Sequence, residues 1–323
     1  MNSSARNFLQ PQPDFNDLSI LVTGGTGSFG RQFVRTVLQR WTPRRLIVFS
    51  RDEAKQHDMA LELGPEKFPS LRFFIGDVRD ADRLEMAMRG VDYVIHAAAL
   101  KHVPTAEYNP FECIRTNVHG AENIVRAAIR CGVQRVISLS TDKACNPVNL
   151  YGASKLASDK IFAAAGNLSG ADNPRFATVR YGNVIGSRGG VVELYAKLIA
   201  DGADFLPITD VRMTRFWITL EQGINFVLSS LAMMSGGEMF VPRIPSMKIV
   251  DLAHAMAPEI EHKVTGIRPG EKLHELMITE DDGRTTYRLP DRYIIPPVFF
   301  LREGGHYNNG DAELVGDRFS YSS

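Results

Sequence analysis

The amino-acid sequence predicts an α/β protein built on a doubly wound parallel sheet, with a smaller C-terminal domain interleaved with it. Short apolar runs such as Arg135–Ser140 alternate with segments of helical length. A glycine-rich turn, Gly24–Gly30, stands between the first apolar run and the first helix. The chain shows no internal repeat, and this regular alternation is typical of a single parallel sheet with helices on both faces.

The apolar runs give the order of the predicted strands. The central runs continue without polar interruption, as strands buried on both faces do. The predicted strands of the first domain are Leu18–Thr23, Arg45–Ser50, Leu71–Val78, Val91–Ala99, Arg135–Ser140 and Phe176–Tyr181. After Gly189 the alternation loosens, and Met239–Pro242 and Ile249–Met256 are predicted as a late strand and a helix. We therefore expect a loose arm at 1–17, a dinucleotide-binding domain at 18–185, a smaller substrate domain at 186–300 and a polar tail at 301–323.

The composition excludes several classes of protein. The chain has 323 residues, and its 37 basic and 37 acidic side chains cancel, so nothing indicates a nucleic acid or an anionic membrane as partner. Cys113, Cys131 and Cys145 form no Cys-x-x-Cys pair, which favours a reducing compartment over a disulfide framework. The polar N-terminus lacks the core of a signal peptide, and no run approaches about 18 apolar residues. We expect a cytoplasmic protein.

The histidines do not show the spacing of metal ligands. His274-Glu275 does not begin a His-Glu-x-x-His motif, because Ile278 stands where the second histidine would be. We therefore expect no metal.

The glycine-rich turn predicts a phosphate-binding site. Glycines let the backbone approach an anion, and the amide groups at the start of the following helix, from about Arg31, point towards it. The spacing is Gly-x-x-Gly-x-x-Gly, and its position between a strand and a helix makes it more informative than a glycine triplet alone. The residues expected to contact the cofactor here are Gly24, Thr26, Gly27, Ser28, Phe29 and Gly30.

The second strand ends where folds of this type recognise the adenosine ribose. Ser50 and Arg51 precede Asp52, and a guanidinium suits the 2′-phosphate of NADP better than the free hydroxyl of NAD. Arg51 could instead be a solvated residue at a helix start. Asp77 and Val78 are expected to contact the adenine. The small residues Ala97, Ala98 and Ala99, at the end of the fourth strand, leave room for a cofactor across the sheet.

One stretch, Ser140–Lys155, contains several groups capable of acid–base chemistry. Asp142 and Lys143 follow a strand at its carboxyl end, where open α/β sheets bind ligands. Tyr151 and Lys155 are four residues apart, so a helix places them on one face, and a nearby ammonium favours the phenolate. Taken alone, this pair could be ordinary surface residues. Asn117, on a long helix over 110–131, could bond near this segment or only satisfy the helix surface.

Three arginines of the C-terminal part are candidates for binding a diphosphate. Arg212, Arg215 and Arg268 lie near Thr214–Thr219 and Arg268–Lys272. Guanidinium groups bind phosphate oxygens in pairs, so a nucleotide-linked substrate is plausible. Scattered surface arginines would give the same pattern.

Taken together, these motifs resemble the extended short-chain dehydrogenase/reductase superfamily, with its Rossmann fold, over about residues 18–300. More narrowly, they resemble the inverting UDP-N-acetylglucosamine 4,6-dehydratases, with which bacteria begin pseudaminic acid and related sugar pathways. The stretches that carry the resemblance are Thr23–Gly30, Ser50–Glu53, Ala97–Pro104, Ser140–Ala144, Asn149–Gly152, Arg180–Val184 and Arg268–Lys272. Related dTDP-glucose dehydratases carry Asp-Glu in place of Asp142-Lys143. The membrane-bound retaining relatives typically carry Met in place of Tyr151.

The resemblance implies a redox-neutral elimination with tightly held NADP. Tyr151, aided by Lys155, would take the 4-hydroxyl proton, and Lys143, made neutral by burial and neighbouring cations, would take the C5 proton. Asp142 would protonate the departing 6-hydroxyl, and Thr141 would orient the sugar. Further cofactor contacts are expected at Lys101, Asn117, Leu139, Ser140, Tyr181 and Val184, and substrate contacts at Lys101, Asn183, Arg212, Arg215, Arg268 and Glu271. A homo-oligomer, dimer or hexamer, is expected.

Three other functions remain open at this stage. A UDP-hexose 4-epimerase would share the fold, Tyr151 and Lys155, but would not need the pair Asp142-Lys143. A retaining dehydratase is a close variant of the main hypothesis. An NADP-binding sensor without catalysis is the alternative from another class, although such proteins usually lose a member of the Tyr-Lys pair.

Overall fold

The computed structural model describes residues 7–64, 66–168, 174–187, 189–297 and 312–323. The strands are β1 Ser19–Thr23, β2 Arg45–Ser50, β3 Leu71–Ile75, β4 Tyr93–His96, β5 Arg135–Thr141, β6 Arg175–Tyr181, β7 Asn183–Ile185, β8 Phe205–Ile208, β9 Thr214–Thr219, β10 Met239–Pro242, β11 Ser246–Lys248, β12 Glu261–Val264, β13 Leu276–Ile278, β14 Tyr287–Arg288, β15 Arg292–Ile295, β16 Glu313–Leu314 and β17 Tyr321–Ser322.

The helices are α1 Ser28–Arg40, α2 Glu53–Leu63, α3 Ala81–Met88, α4 Val103–Tyr108, α5 Pro110–Ile114, α6 Gly120–Arg130, α7 Leu150–Ala165, α8 Val191–Ala200, α9 Leu220–Met233, α10 Ile249–Met256 and α11 Glu280–Gly283. A π-helical turn, Arg115–His119, joins α5 to α6, and a 3₁₀ turn, Asp142–Ala144, follows β5. No helix in the described ranges is long and apolar enough to cross a bilayer.

The fold is a Rossmann-like α/β fold, as the sequence predicts. Seven parallel strands run in the order β3-β2-β1-β4-β5-β6-β10, the doubly wound arrangement in which the order reverses beside β1. Every residue of β1 is buried, because helices cover both faces of the sheet. Helices α1, α2 and α9 pack on one face, and α3, α6 and α7 on the other.

The C-terminal part returns to the same sheet instead of forming a separate body. Strand β10 adds to β6 in parallel, and β15, β14 and β16 extend that edge in antiparallel pairing. Between these strands, α8, α10, β8 and β9 enclose a smaller core that contains Tyr195, Leu206 and Trp217. This smaller unit lies over the carboxyl ends of the parallel strands and contributes one wall of the cleft described below.

The prediction of a loose N-terminal arm is wrong for residues 7–17. Phe8 and Phe15 are 2% and 0% exposed. Phe8 packs edge-on against Phe226 of α9, with ring centroids 4.8 Å apart, and Phe15 packs against Trp41 at 5.1 Å. Two buried aromatic rings bring enough apolar area to hold the segment on the core. Residues 1–6 lie outside the described residues.

The end of the chain also packs on the protein itself. Strand β17 pairs with β13, and the Tyr321 hydroxyl bonds to the backbone of Ile244 in both directions. The predicted polar tail is therefore ordered over residues 312–323. Its residues 301–311 lie outside the described ranges.

Candidate active site

A cleft of about 1110 Å³ runs along the carboxyl ends of the parallel strands, from the glycine-rich turn to the loop 268–275. Most of the predicted site residues line this one cleft, which is where ligands bind in open α/β sheets. The predicted residues that line it are Gly24, Thr26, Gly27, Ser28, Phe29, Gly30, Ser50, Arg51, Asp52, Asp77, Val78, Ala97, Ala98, Ala99, Lys101, Leu139, Ser140, Thr141, Lys143, Tyr151, Lys155, Tyr181, Asn183, Val184, Arg215, Arg268 and Glu271. Asn117, Asp142 and Arg212 do not line it.

The glycine-rich turn has the geometry of an anion cradle. Gly24 has φ +64, and a Cβ there would lie 2.9 Å from the backbone of Ala98, so the turn and the end of β4 pass each other closely. Helix α1 begins at Ser28, earlier than predicted, and Gly27 precedes it as N-cap. In the described chain no side chain caps this helix and no acidic residue stands in its first turn, so its positive end faces the cleft. The residues present therefore fit the pyrophosphate of a dinucleotide.

At the end of β2, some side chains bond within the protein and others remain available to a ligand. Asp52 caps α2 by accepting from the Lys55 amide and also pairs with the Lys55 ammonium, so its carboxylate is held within the protein. The Ser50 hydroxyl is held by the Gln56 amide at 3.0 Å. Arg51 is half exposed and lies 3.3 Å from Asp77 Oδ2. A cation thus stands where the ribose of a bound dinucleotide is expected.

Asp77 is held as an ionised acceptor. Its Oδ2 accepts from Arg79 Nε and Nη2 at 2.9 and 2.7 Å. Burial opposes the charge, but the Arg79 hydrogen bonds and the charge of Arg51 hold the pKa of Asp77 below its ordinary value. The carboxylate lies at the cleft, where it could meet a ligand. Its contact with the adenine stays a prediction.

Asn117 lies in the π-helical turn and is 1% exposed. Its side chain donates to the Leu100 carbonyl and accepts from the Leu100 amide, both at 2.9 Å, and donates to Ser154 Oγ of α7 at 2.9 Å. Of the two alternatives that the sequence left open, the structure shows Asn117 bonded to Ser154, within the stretch Ser140–Lys155, and it does not place Asn117 at the cleft where a cofactor contact was predicted. Asn117 fixes the end of β4 to α7, which orients the cleft wall without contacting the cleft.

The 3₁₀ turn after β5 places an acid beside a base. Thr141 caps the turn, and its hydroxyl donates to Asp142 Oδ1 at 3.0 Å. Lys143 Nζ donates to the same oxygen at 3.0 Å. Asp142 is fully buried, and its Oδ2 has no hydrogen-bond partner among the described residues. Lys143 and Thr141 line the cleft, so both connect the buried carboxylate to the reaction space.

The expected lowering of the Lys143 pKa is wrong. Burial acts in that direction, but the carboxylates of Asp142 and Glu275 outweigh it and raise the pKa of Lys143 above its ordinary value. The sequence argument counted cations near this lysine, and Arg215 is indeed one, but it did not include Glu275. As the protein stands, Lys143 is therefore an ammonium ion.

Tyr151 and Lys155 lie on the first turns of α7, which Asn149 caps by accepting from the Gly152 amide. Both side chains are buried and line the cleft. The expected lowering of the Tyr151 pKa is also wrong: burial raises it to about 12, although Lys143 and a hydrogen bond with Thr141 act to lower it. For Lys155 burial has the opposite effect and lowers the pKa, because the charged form is now the protonated one, and the charge of Asp159 opposes this lowering.

The sequence analysis did not predict the buried ion pair between Asp159 and Arg180, which stabilises the elements that carry the site. Asp159 Oδ2 accepts from Ser140 Oγ at 2.7 Å and lies 3.2 Å from Arg180 Nη2. Arg180 also donates to the Met277 carbonyl at 2.9 Å. Asp159 stands one helical turn after Lys155, a spacing that could have been noticed. The pair ties α7, β5, β6 and β13 together beneath the cleft.

The three arginines predicted to bind the substrate differ in exposure and in their contacts. Arg212 is exposed and forms a pair with Asp210, away from the cleft. Arg215 lines the cleft, but it is 7% exposed and donates to the carbonyls of Thr214, Leu273 and Lys272. Arg268 lies at the cleft with an exposed guanidinium near Glu271. Arg268 is therefore the arginine of this set that is best placed to meet a phosphate.

The fold and this site together define a nucleotide-binding enzyme fold of the extended short-chain dehydrogenase/reductase type. The sequence profile described as "Polysaccharide biosynthesis protein" matches residues 20–297. The chain belongs to this family.

Two relatives of this chain carry the names of different enzymes. A protein of Campylobacter jejuni named UDP-N-acetylglucosamine 4,6-dehydratase (inverting) is 56% identical over 314 residues, which cover 96% of this chain and 93% of that protein. A protein of Rickettsia canadensis named UDP-glucose 4-epimerase is 42% identical over 293 residues, 87% of this chain and 84% of that protein.

Solved structures give the same picture. Pen from Bacillus thuringiensis superposes with a TM-score of 0.87 at 35% identity, covering 95% of this chain and 93% of that one. DesIV from Streptomyces venezuelae, a dTDP-glucose 4,6-dehydratase solved with NAD and TYD bound, superposes with a TM-score of 0.69 at 26% identity over 79% of this chain and 87% of that one.

Proposed function

We propose that this protein is a hydro-lyase that converts UDP-N-acetylglucosamine to UDP-2-acetamido-2,6-dideoxy-β-L-arabino-hexos-4-ulose, with NADP as bound cofactor. The observation that carries the proposal is the Asp142–Lys143 pair, bonded at 3.0 Å, whose lysine lines the same cleft as Tyr151 and Lys155. An acid and a base at this position serve a reaction that changes C5 and C6 as well as C4. The 56% identity to the inverting dehydratase of Campylobacter jejuni supports the same reaction.

Tyr151 is the group that takes the proton of the 4-hydroxyl, with Lys155 beside it on α7. When bound, the oxidised cofactor supplies the redox chemistry at C4 and a positive charge that favours the phenolate. A group with a pKa of about 12 needs such help to act as a base near neutral pH.

Lys143 can pass a proton to Asp142 along the hydrogen bond that joins them. One proton passing from Lys143 Nζ to Asp142 Oδ1 leaves a neutral amine and a carboxylic acid. These are the two forms that the elimination requires, since the amine takes the C5 proton and the acid protonates the departing 6-hydroxyl. Asp142 does not line the cleft, so the Thr141 hydroxyl, which lies 3.0 Å from Oδ1 and lines the cleft, relays the proton: its oxygen takes the proton of the Asp142 acid as it gives its own proton to the departing hydroxyl.

The choice of NADP rests on the cations at the end of β2. Arg51 is half exposed at the cleft, and Lys55 stands one turn into α2. Ser50 lies at the same corner. A 2′-phosphate would meet two positive charges and a hydroxyl, whereas Asp52, the acid that could select a free 2′-hydroxyl, is engaged by Lys55.

The remaining cleft wall suits a sugar diphosphate. Lys101, Asn183 and Arg268 line it, with Glu271 beside Arg268. Burial lowers the pKa of Lys101, the charge of Glu193 opposes this, and the charge of Lys143 adds to the lowering. We further propose a homo-oligomer that works in the cytoplasm at the start of a bacterial sugar pathway of the pseudaminic acid type.

The test is an NMR time course with UDP-N-acetylglucosamine in D₂O, without added cofactor. We expect a 6-deoxy-4-keto sugar with deuterium at C5 and the L-arabino configuration. The D-configured product would indicate a retaining dehydratase. A C4 epimer without loss of water would identify an epimerase, to which the Rickettsia canadensis relative and the Tyr151–Lys155 pair would also point. Absence of turnover with NADP still bound would favour a sensor.

The variant Lys143→Met separates the steps. Reduction of the cofactor on addition of substrate should persist, because Tyr151 and Lys155 are intact, while loss of water should fall by two to four orders of magnitude, roughly the contribution of a positioned acid–base group. The exposed lysine Lys160 on α7 offers a matched control, Lys160→Met, which should behave as the parent. Normal dehydration by Lys143→Met would refute its role as the C5 base.

A further inference from the structure

Glu275 is a buried carboxylate that the reaction scheme above does not use. Its side chain is 3% exposed, and its Oε1 lies 4.0 Å from Lys143 Nζ and 3.8 Å from Arg215 Nε. Its Oε2 lies 3.5 Å from Lys272 Nζ and has no hydrogen-bond partner among the described residues. A buried acceptor without such a partner is costly unless its charge has a use.

The backbone of Glu275 is fixed from outside the cleft. Ser323 Oγ accepts from the Glu275 amide at 3.0 Å, and the Ser323 amide donates to the Glu275 carbonyl at 2.8 Å. Thr214 Oγ1 bonds to Ser323 Oγ at 2.8 Å and to His274 Nδ1 at 2.7 Å. The carboxylate is therefore presented to the cleft, which it lines, from a backbone held on both sides.

Glu275 acts on its neighbours through charge. Arg215 already donates to three carbonyls, and Lys272 donates to the Cys145 carbonyl at 2.7 Å. Lys143 has its own hydrogen bond to Asp142. The three cations thus keep these hydrogen bonds without Glu275, so removal of its charge changes mainly the electrostatic field at the reacting amine.

We infer that Glu275 is a positioning residue of the reaction: its carboxylate holds the Lys143 ammonium group at the cleft wall between turnovers and decides when that group becomes a base. The inference rests on the proposed function. When Lys143 accepts the C5 proton at Nζ, the ammonium ion that forms faces the Glu275 carboxylate at 4.0 Å, and Asp142 becomes a second carboxylate beside it once its own proton has gone to the departing 6-hydroxyl. Before substrate enters the cleft, both Asp142 and Glu275 are carboxylates and oppose release of the proton from Lys143.

The charges around Glu275 come from three segments. Asp142 and Lys143 face it from the 3₁₀ turn, Arg215 from β9, and Lys272 from the loop before β13. Burial raises the pKa of Glu275, Asp142 raises it further, and the three cations oppose this. Burial wins, so the pKa of Glu275 lies above its ordinary value, which is the cost of placing this carboxylate inside the protein.

The experiment measures the titration of Lys143 directly. Only the neutral amine reacts with acetic anhydride, so the extent of Lys143 acetylation against pH, read by peptide mass spectrometry, gives its midpoint. We expect Glu275→Gln to move this midpoint down by about one pH unit or more, which is a tenfold rise in the neutral fraction. The basic limb of the pH profile of kcat should move in the same direction. Asp281→Asn, on an exposed carboxylate of α11, is the matched control and should leave the midpoint unchanged.

A purely structural role gives a different result. Glu275→Gln would then lower kcat or thermal stability, with the Lys143 midpoint and the kcat profile at the parent positions, and this would overturn the inference. If Glu275→Gln does not fold, Glu275→Asp takes its place, because it keeps the charge but withdraws it by one methylene, and a smaller shift in the same direction is expected. An unshifted midpoint in folded Glu275→Asp would then overturn the inference.

The two proposals fail separately. Acetylation of Lys143 does not require turnover, so its midpoints report on Glu275 even if the parent protein leaves UDP-N-acetylglucosamine unchanged. Failure of the parent protein to dehydrate that substrate, with the shift present, would refute the reaction but retain the electrostatic role of Glu275. Dehydration by the parent protein, without a shift in Glu275→Gln, would retain the reaction and refute the role of Glu275.

Discussion

Gly152 allows helix α7 to pack closely against the 3₁₀ turn Asp142–Ala144, and we expect Gly152→Ala to move these two elements apart. A Cβ at this position would lie 2.2 Å from the Lys143 carbonyl oxygen and 3.0 Å from Pro147 Cβ. Ordinary contact begins at 3.4 Å, so helix α7 or the 3₁₀ turn must move by about one ångström. That movement changes the distance between Tyr151 on the helix and Lys143 on the turn.

Two effects on stability oppose each other in this variant. Alanine in place of glycine within a helix stabilises by roughly 0.5–1 kcal/mol. Overpacking against a backbone carbonyl costs about 1–3 kcal/mol. The clash wins, and we expect a net loss of about 1 kcal/mol in urea unfolding. Activity should suffer more, because a misplacement of about 1 Å between catalytic groups can lower kcat about 100-fold.

The matched control is Gly166→Ala at the other end of α7. Gly166 has φ −58, and a Cβ there would meet nothing within 4 Å. We expect parental activity and equal or slightly higher stability for this variant. The assay is the rate of UDP-N-acetylglucosamine dehydration, together with urea unfolding of both variants. Parental kcat and stability in Gly152→Ala would refute the argument from close contact.

Three further changes test other parts of the structure. Arg51→Ala should weaken NADP binding by roughly 10- to 100-fold, the value of a charge-assisted hydrogen bond of about 1.5–3 kcal/mol, and leave NAD binding unchanged in calorimetry. Arg180→Met should cost about 3–5 kcal/mol in urea unfolding because it leaves the Asp159 carboxylate buried without its cation, whereas the double variant with Asp159→Leu should recover much of this. Burial, and then the charge of Lys155, lower the pKa of His96 to about 3, so the unfolded chain takes up a proton below pH 6.5 that the folded protein refuses. Stability should therefore fall by up to about 1.4 kcal/mol per pH unit from pH 6.5 towards 3, and a slope unchanged in His96→Asn would contradict this.

The parallel core was predictable because local sequence alone determines it. Strand β5 was predicted as Arg135–Ser140 and spans Arg135–Thr141, since a strand buried on both faces needs a continuous apolar run. The same holds for β2, whose predicted bounds, Arg45–Ser50, agree with the structure. Outside the sheet, helix α10 also has its predicted bounds, Ile249–Met256. The turn after β1 needed only glycines at a strand–helix junction.

The parts that were not predictable depend on distant contacts. The prolines and polar residues around Phe8 and Phe15 are typical of a loose arm, and only Phe226 and Trp41 show that these rings have a place to pack. The charge of Asp142, and then that of Glu275, raise the pKa of Lys143, and Glu275 reaches the site from a different segment of the chain. Sequence spacing could give the local pair, but not the third charge.

The Asp142–Lys143–Glu275 group also bears on the choice between dehydration and epimerisation within this family. An epimerase changes only C4, for which Tyr151 and Lys155 suffice, and charged groups elsewhere in its cleft need not titrate. Here a second proton-active group faces the same cleft, with an amine bonded to one carboxylate at 3.0 Å and 4.0 Å from another. Burying three such charges is costly, and a reaction that removes and returns a proton at C5 gives them a use. Lys143→Met could instead abolish C4 oxidation as fully as loss of water. Tyr151 and Lys155 would then not act at C4 independently of Lys143, and this argument against an epimerase would be refuted.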